Sequence, residues 1–322
     1  MKIPRSTQEM IPVKHILNDG TFVLDSGEYS KMFAFTDINY TELRDEEKMR
    51  RLVDYSALLN SIDKGIYAKI SIFFRPIRQE QFERDVLIPM NPEDELDDYR
   101  ENMNTVLREQ VRGTLGMTKQ AYLTITAGRR NDEDAAAFFA RVEGNLISSF
   151  QALGVELRAV PLSERLRLLH DIYRPGLEET FRYDAHAEKK LGMNWKDSIA
   201  PLSAEALNSC THLKIGGRYC KTLFLNAYPI YLNDRIVSDI ASIGKPMIFT
   251  IDFLPIPSAE AMAEAESRSM AIDTKIVNYT LHQQRNGNYS GSVPYKLMQR
   301  AAGVQEVMEA IQERDQNLYL VT

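Results

Sequence analysis

Cysteine is almost missing from this chain, with only Cys210 and Cys220 among 322 residues. A disulfide-stapled scaffold is thereby excluded, and two lone thiols suit a reducing compartment. A Gly216-Gly217 turn sets Cys220 opposite Leu213, which puts Cys210 opposite Leu223. The two thiols then do not meet, and both read as small apolar residues. Long apolar runs are lacking too. No stretch approaches the roughly 18 apolar residues that a membrane-spanning helix needs. Lys2 and Arg5 have no apolar core behind them, so the start is no signal peptide. These absences place the protein in the cytoplasm. Positive charge is not in excess: 39 Lys and Arg against 45 Asp and Glu give a net charge of −6. That balance argues against a duplex-wrapping protein, although a local basic patch would survive it.

Catalytic patterns are equally scarce. A P-loop needs G-x-x-x-x-G-K-[ST], because glycine amides cradle the phosphates and a hydroxyl meets magnesium. The Gly244-Lys245 pair is followed by Pro246, and Asp239 stands where the first glycine belongs. The five histidines, His15, His170, His186, His212 and His282, fall in no metal-ligand spacing. His170 reads as a packed helix residue. Ser290, in the loop Gly287–Gly291, is misplaced for a nucleophile elbow. Five carboxylates crowd Glu93–Asp98, yet no glycine or ordered Asp/Asn spacing builds a calcium loop. The positive end of a helix dipole explains them. No catalytic, cofactor-binding or metal residue is therefore expected, and no cofactor.

What is present is an ordinary globular composition, 44% apolar and 26% charged, long enough for two domains. After a polar lead-in over 1–20, strands are predicted at 21–24 and 31–38, a helix over 42–62 and a strand over 66–74. A helix follows over 92–112 and a strand over 121–127. The clearest helix runs from an Asn131 cap to Gly154, with Ala135, Phe138, Phe139, Val142, Leu146, Ile147, Phe150 and Leu153 making a broad apolar face expected to pack on a sheet. Val155–Val160 returns as a strand, completing a βαβ-type unit over 121–160. Ser163 caps the next helix, which stops at Pro175.

Residues 174–194 lack periodicity, and the division falls near 180. This gives an N-terminal α/β lobe, 1–180, and a second lobe, 181–322. The second lobe centres on the hairpin over 211–225, whose base is expected to be buried on both sides within a larger mixed sheet. Its Lys214, Arg218 and Lys221 lie near the aromatics Tyr219, Phe224, Tyr228 and Tyr231, which leaves open a stacking platform for single-stranded nucleic acid. A short helix over 234–242 and a strand over 246–254 follow. A Ser258-capped helix then reaches Arg285, and a second runs from Pro294 to Arg314. The second helix repeats Leu297, Ala301, Val304, Met308 and Ile311 as a seam facing its own core. Leu318–Thr322 reads as a bare apolar strand, as if the chain were cut there. The fold class is α+β, with mixed sheets, two lobes and a long C-terminal helical hairpin.

Several stretches carry a family likeness. K-D-S-I-A-P at Lys196–Pro201, the Gly-Gly-Arg-Tyr hairpin, and Tyr228-Pro229 resemble the N-terminal region of the conjugation ATPase of type IV secretion systems. The group is CagE/TrbE/VirB, in its Gram-positive conjugative-element branch. Q-E-M-I-P-V-K at Gln8–Lys14, D-E-L-D-D-Y-R-E-N-M-N at Asp94–Asn104 and L-Y-L-V-T at the end extend the likeness, in the same order, over nearly the whole chain. In that family the motor domain lies C-terminal to the resembling region, so no catalytic residue carries over. The resemblance implies a non-catalytic docking and assembly region peripheral at the cytoplasmic membrane face. Its partners would be inner-membrane channel components and other copies of the ATPase. Membrane contact would come only through partners, and no stable small-molecule ligand is expected.

Overall fold

The computed structural model describes residues 4–37, 43–62, 65–77, 79–110, 117–186, 190, 192, 194–206, 211–227, 236–287, 292–313 and 317–322. In chain order come β1 (Val13–Ile16), β2 (Phe22–Leu24), β3 (Glu28–Phe35), α1 (Asp45–Asn60), β4 (Ile66–Pro76), α2 (Gln79–Asp85) and α3 (Asp97–Gln110). Next are β5 (Met117–Gly128), α4 (Asp132–Ala152), β6 (Leu157–Ala159), α5 (Leu162–Tyr173), β7 (Ala204–Ala206), β8 (Leu213–Ile215), β9 (Arg218–Cys220) and α6 (Ile236–Ala241). The chain ends with β10 (Met247–Ile256), α7 (Ser258–Arg285), α8 (Tyr295–Gln312) and β11 (Leu318–Val321). The fold is α+β. No described helix is long and apolar enough to cross a membrane.

The chain divides into two compact units whose boundaries interleave: 1–39, 68–251 and 322 form the first, and 40–67 with 252–321 the second. Residue 180, where the sequence suggests a division, lies inside the first.

The first unit is built on a sheet in the order β1-β2-β3-β5-β4, continued by the start of β10. β3 pairs along its whole length with β5, from Glu28 opposite Gly128 to Phe35 opposite Ala121. Its other edge is shared: Ser30 and Tyr29 meet β2, while Phe33, Ala34 and Phe35 meet β6. β5 and β6 are thus both antiparallel to β3 and flank it, so the expected βαβ unit is present but split by a strand between its two arms. α4 starts as the sequence indicates, Asn131 Oδ1 accepting from Asp134 N at 2.8 Å. Its Phe139 and Ala135 are fully buried and Phe150 stacks near Phe35, 5.4 Å between centroids. α5 differs from expectation at its start: Pro161, not Ser163, occupies the N-cap position and makes no side-chain cap.

Two buried cations tie this unit together. Lys31 lies 3.3 Å from both Asp19 Oδ2 and Glu143 Oε2. Arg165 donates to Gly20 O at 2.9 Å, Ser30 O at 2.6 Å and Ser30 Oγ at 2.8 Å, and its guanidinium stacks 3.8 Å from the Phe22 ring. Desolvation by burial pushes the Arg165 pKa down, so these polar contacts must compensate for hydration lost.

The hairpin corrects the sequence reading in part. Its register is as expected, Ile215 opposite Arg218 and Leu213 opposite Cys220, with Gly216 at φ +57° in the turn. Burial is not. β7, β8 and β9 form a separate three-stranded sheet rather than part of a larger one. Cys220 is exposed, and so are Leu223 at 80% and Phe224 at 83%. Alternating apolar residues fit a strand, but a strand buries them only where another layer covers the face. Cys210, Tyr228, Pro229 and Tyr231 lie outside the described residues, as do Gly113, Gly116 and Arg314.

In the second unit α7 and α8 pack on each other. The expected α8 seam is its less exposed face: Ile311 is buried, and Leu297, Ala301, Val304 and Met308 are half-buried. β11 pairs antiparallel with the end of β10, Leu318 opposite Ile256 and Val321 opposite Phe253. The C-terminal carbonyls of α1 are met by this strand. Asn317 Nδ2 donates to Asn60 O at 3.3 Å and Ile62 O at 3.4 Å, and the Tyr319 hydroxyl donates to Leu59 O. Asn60 O, a carbonyl left over at the helix end, thereby gains a partner.

Candidate functional site

Two of the motifs that carry the family likeness come together in the first unit. Trp195–Ser198 is a 3-10 turn capped by Asn194, whose Oδ1 accepts from Lys196 N at 3.0 Å. From this turn Lys196 Nζ donates to Ile11 O at 3.0 Å, and Gln8 Nε2 donates to Asp197 Oδ1. Arg174 at the end of α5 donates to Ala200 O at 2.8 Å. Beneath these bonds Ile11, Val13, Phe22, Leu166, Trp195, Ile199 and Ala200 share one core cluster. Gln8–Lys14 and Trp195–Pro201 are therefore a mutual staple, and the residues 1–20 are not a polar lead-in: they include β1. Burial of Ile11 and Ile199 fixes the staple, and the polar side chains satisfy backbone groups around it.

The third motif is a self-contained clamp. Arg100 Nη1 donates to Asp94 at 2.5 Å and to Asp97 at 2.8 Å. The Arg100 hydrogen bond is the largest influence holding the Asp94 carboxyl down to about 2. Asp97 is also lowered, first by the Asn91 amide and then by Arg100. Asn104, 2% exposed, accepts from Ile88 N at 2.8 Å and donates to Ile88 O at 2.9 Å, pinning α3 to the segment before it. Part of the acidic cluster thus serves an arginine as well as the start of a helix. Among the described residues no group of three or more His, Cys, Asp or Glu could hold a metal ion.

α3 and Leu96 just before it carry a feature the sequence reading missed. Leu96, Tyr99, Met103 and Val106 are exposed, Tyr99 by 73%. Their 3-4-3 spacing was the available signal of an apolar stripe. The hairpin strand β9 and residues 221–225 form a second uncovered surface. Tyr219, Leu223, Phe224 and Leu225 are exposed beside Arg218 and Lys221, and the Tyr219 ring stands edge-on to His212 at 5.4 Å.

The histidines do not converge. His15 lies 3.9 Å from Asp132, His212 stands by Tyr219, and His186 and His282 are exposed. His170 is fully buried, edge-on to Phe181 at 5.3 Å, with Nε2 3.4 Å from Thr180 Oγ1 and Nδ1 3.6 Å from Asp171 Oδ1. Burial pushes its pKa down. Asp171 also receives Arg75 at 2.6 Å, and Arg75 donates to Gln120 at 2.7 Å. This network joins positions 45 to 96 residues apart, a link no local pattern encodes.

A cleft of about 630 Å³ opens beside β3 and β5, lined by Phe35, Asp37, Lys119, Tyr122, Gln151 and Arg158 among others. Its cations are engaged: Lys119 with Asp37 at 2.6 Å, Arg158 with Glu164 at 2.8 and 2.9 Å. An anion entering the cleft would have to break one of these pairs. Neither protein-family models nor curated protein sequences match this chain.

Proposed function

We propose that this chain is a non-catalytic docking and assembly region of a conjugation-type secretion ATPase. It works at the cytoplasmic membrane face by holding channel components and neighbouring subunits. One observation carries the reading beyond the ordered motifs: two apolar surfaces, the α3 stripe and the β9–225 segment, lie uncovered in the same unit. Exposed apolar groups rimmed by charge are what protein contacts bury. The test is a photo-crosslinker at Met103 in cells that contain the secretion machinery. Adducts with membrane-fraction proteins support docking, and loss of all protein adducts sinks it. Calorimetry with Mg-ATP should show no binding, and one-to-one micromolar binding would overturn the non-catalytic reading.

A second reading draws on the exposure of Tyr219 and Phe224 beside Lys214, Arg218 and Lys221. Aromatic faces among cations stack the bases of a single strand. Oligonucleotide binding that weakens steeply with salt, by about 0.7 log units per log unit of salt for each phosphate met, would favour this reading over docking.

A further inference from the structure

The two uncovered surfaces are opposite in charge. Residues 91–110 hold seven carboxylates (Glu93, Asp94, Glu95, Asp97, Asp98, Glu101 and Glu109) against Arg100 and Arg108. Five of the chain's six net negative charges are therefore concentrated around the α3 stripe. Arg100 neutralises part of Asp94 and Asp97, and Arg108 meets Glu101 at 2.7 Å. Among the described residues Glu93, Glu95, Asp98 and Glu109 enter no ion pair. On the hairpin, Lys214 is 3.8 Å from Glu205, while Arg218 and Lys221 enter no ion pair among the described residues. Each surface pairs a row of apolar side chains with uncompensated charge of one sign. Neither is covered by the other within one chain, since both remain exposed.

We infer that the α3 stripe of one copy binds the β9–225 segment of a second copy. Leu96, Tyr99, Met103 and Val106 meet Tyr219, Leu223 and Phe224, and the carboxylates at the stripe face Arg218 and Lys221. The inference rests on the docking reading and specifies one of its contacts. The fit is chemical on both counts. α3 spans about 21 Å at 1.5 Å per residue, enough to lie along a short extended segment. Opposite charges flanking an apolar strip steer association and set its register. A contact between unlike surfaces leaves one of each free on every pair, so copies add head to tail into rings or filaments. A single helix stripe is small beside the ~800 Å² per partner of a standard interface, so the association is weak and salt-sensitive.

The experiment is sedimentation of the full chain over a concentration series at low and high salt. The expected result is reversible association at low salt that weakens at least about tenfold at high salt. Two variants probe the faces: Glu95→Lys with Glu109→Lys on the stripe, and Arg218→Glu with Lys221→Glu on the hairpin. All four positions are exposed, and circular dichroism checks that both variants fold. Each variant alone should be monomeric. An equimolar mixture should associate again, because the unaltered basic hairpin of the stripe variant meets the unaltered acidic stripe of the hairpin variant. A monomeric wild type overturns the proposal, as does a mixture that stays monomeric. Association that neither variant weakens also overturns it, and would point to another surface, such as the outer edge of β11. Failure here leaves crosslinking to membrane proteins as a separate test, so this contact and the docking reading fall independently.

Discussion

Replacing Ile199 by alanine tests whether the Trp195–Pro201 motif is a structural staple. Ile199 is fully buried and shares its cluster with Ile11, Leu166 and Trp195. The change deletes three carbons, worth about 0.8 kcal/mol each in lost burial, or about 2.4 kcal/mol. The hole is ringed by side chains from β1, β2, α5 and the 3-10 turn, which cannot all collapse into it. A cavity contribution brings the expected loss to about 3 kcal/mol, within the range for large-to-small core changes. The chain has one tryptophan, and it is Trp195 itself, 6.2 Å from Phe22. Its emission reports this cluster alone, which matters in a two-unit protein whose global unfolding need not be a single step. In urea, with a slope of about 3 kcal/mol/M, the Trp195 transition should move down by about 1 M. Leu202→Ala, at a position 70% exposed, is the control and should leave the midpoint nearly unchanged. If Ile199→Ala moves the midpoint no more than Leu202→Ala, the staple is not what holds this core.

Three further outcomes follow from individual side chains. Asn104→Ala should strand Ile88 N–H and C=O, costing about 1–3 kcal/mol, and should speed amide exchange over residues 86–110 without lowering the Trp195 transition. Acidification should weaken the first unit through His170. Its folded pKa lies below the unfolded value of about 6.5, so the unfolded chain takes up the proton first. Stability is complete above about pH 6.5 and falls as pH drops toward the folded pKa. Asp171, Arg174 and Glu178 face the same ring, and His170→Gln should flatten that pH dependence in urea titrations followed at Trp195. In dilute solution, where copies do not associate, Cys220 should react with a thiol reagent as fast in the native chain as in the denatured one, because it is exposed; slow labelling at that dilution would show the β9 face covered within one chain.

Local signals in the sequence were reliable where the cause was local. Asn131 and the three acids after it start α4 because a cap and a dipole need only neighbours. Gly216-Gly217 specified the β8–β9 register because a two-residue loop leaves no other pairing. Burial was not legible in the same way. Leu223 and Phe224 read as core but have no layer over them, while Val13, between Pro12 and Lys14, is buried through partners almost 190 residues away. The unit boundaries were hidden for a related reason. β4 and β10 each pass from one unit into the other within a continuous strand, so no linker marks the change. The α3 stripe was legible by spacing but was masked by the carboxylates around it.

The shared edge of β3 has a consequence during synthesis. Phe33–Phe35 find their outer neighbour only in Leu157–Ala159, and Thr36 joins Glu156 across 120 residues of sequence. At about 5–20 residues per second the ribosome needs roughly 6–24 s to supply that partner. For that interval half of one β3 edge is an open hydrogen-bonding rail beside apolar side chains, a template for pairing with other nascent chains. Slower elongation lengthens the exposure, and a holding chaperone shields it. The yield of folded protein should therefore depend on how quickly the stretch from β5 to β6 is translated, more than on the stability of the finished sheet.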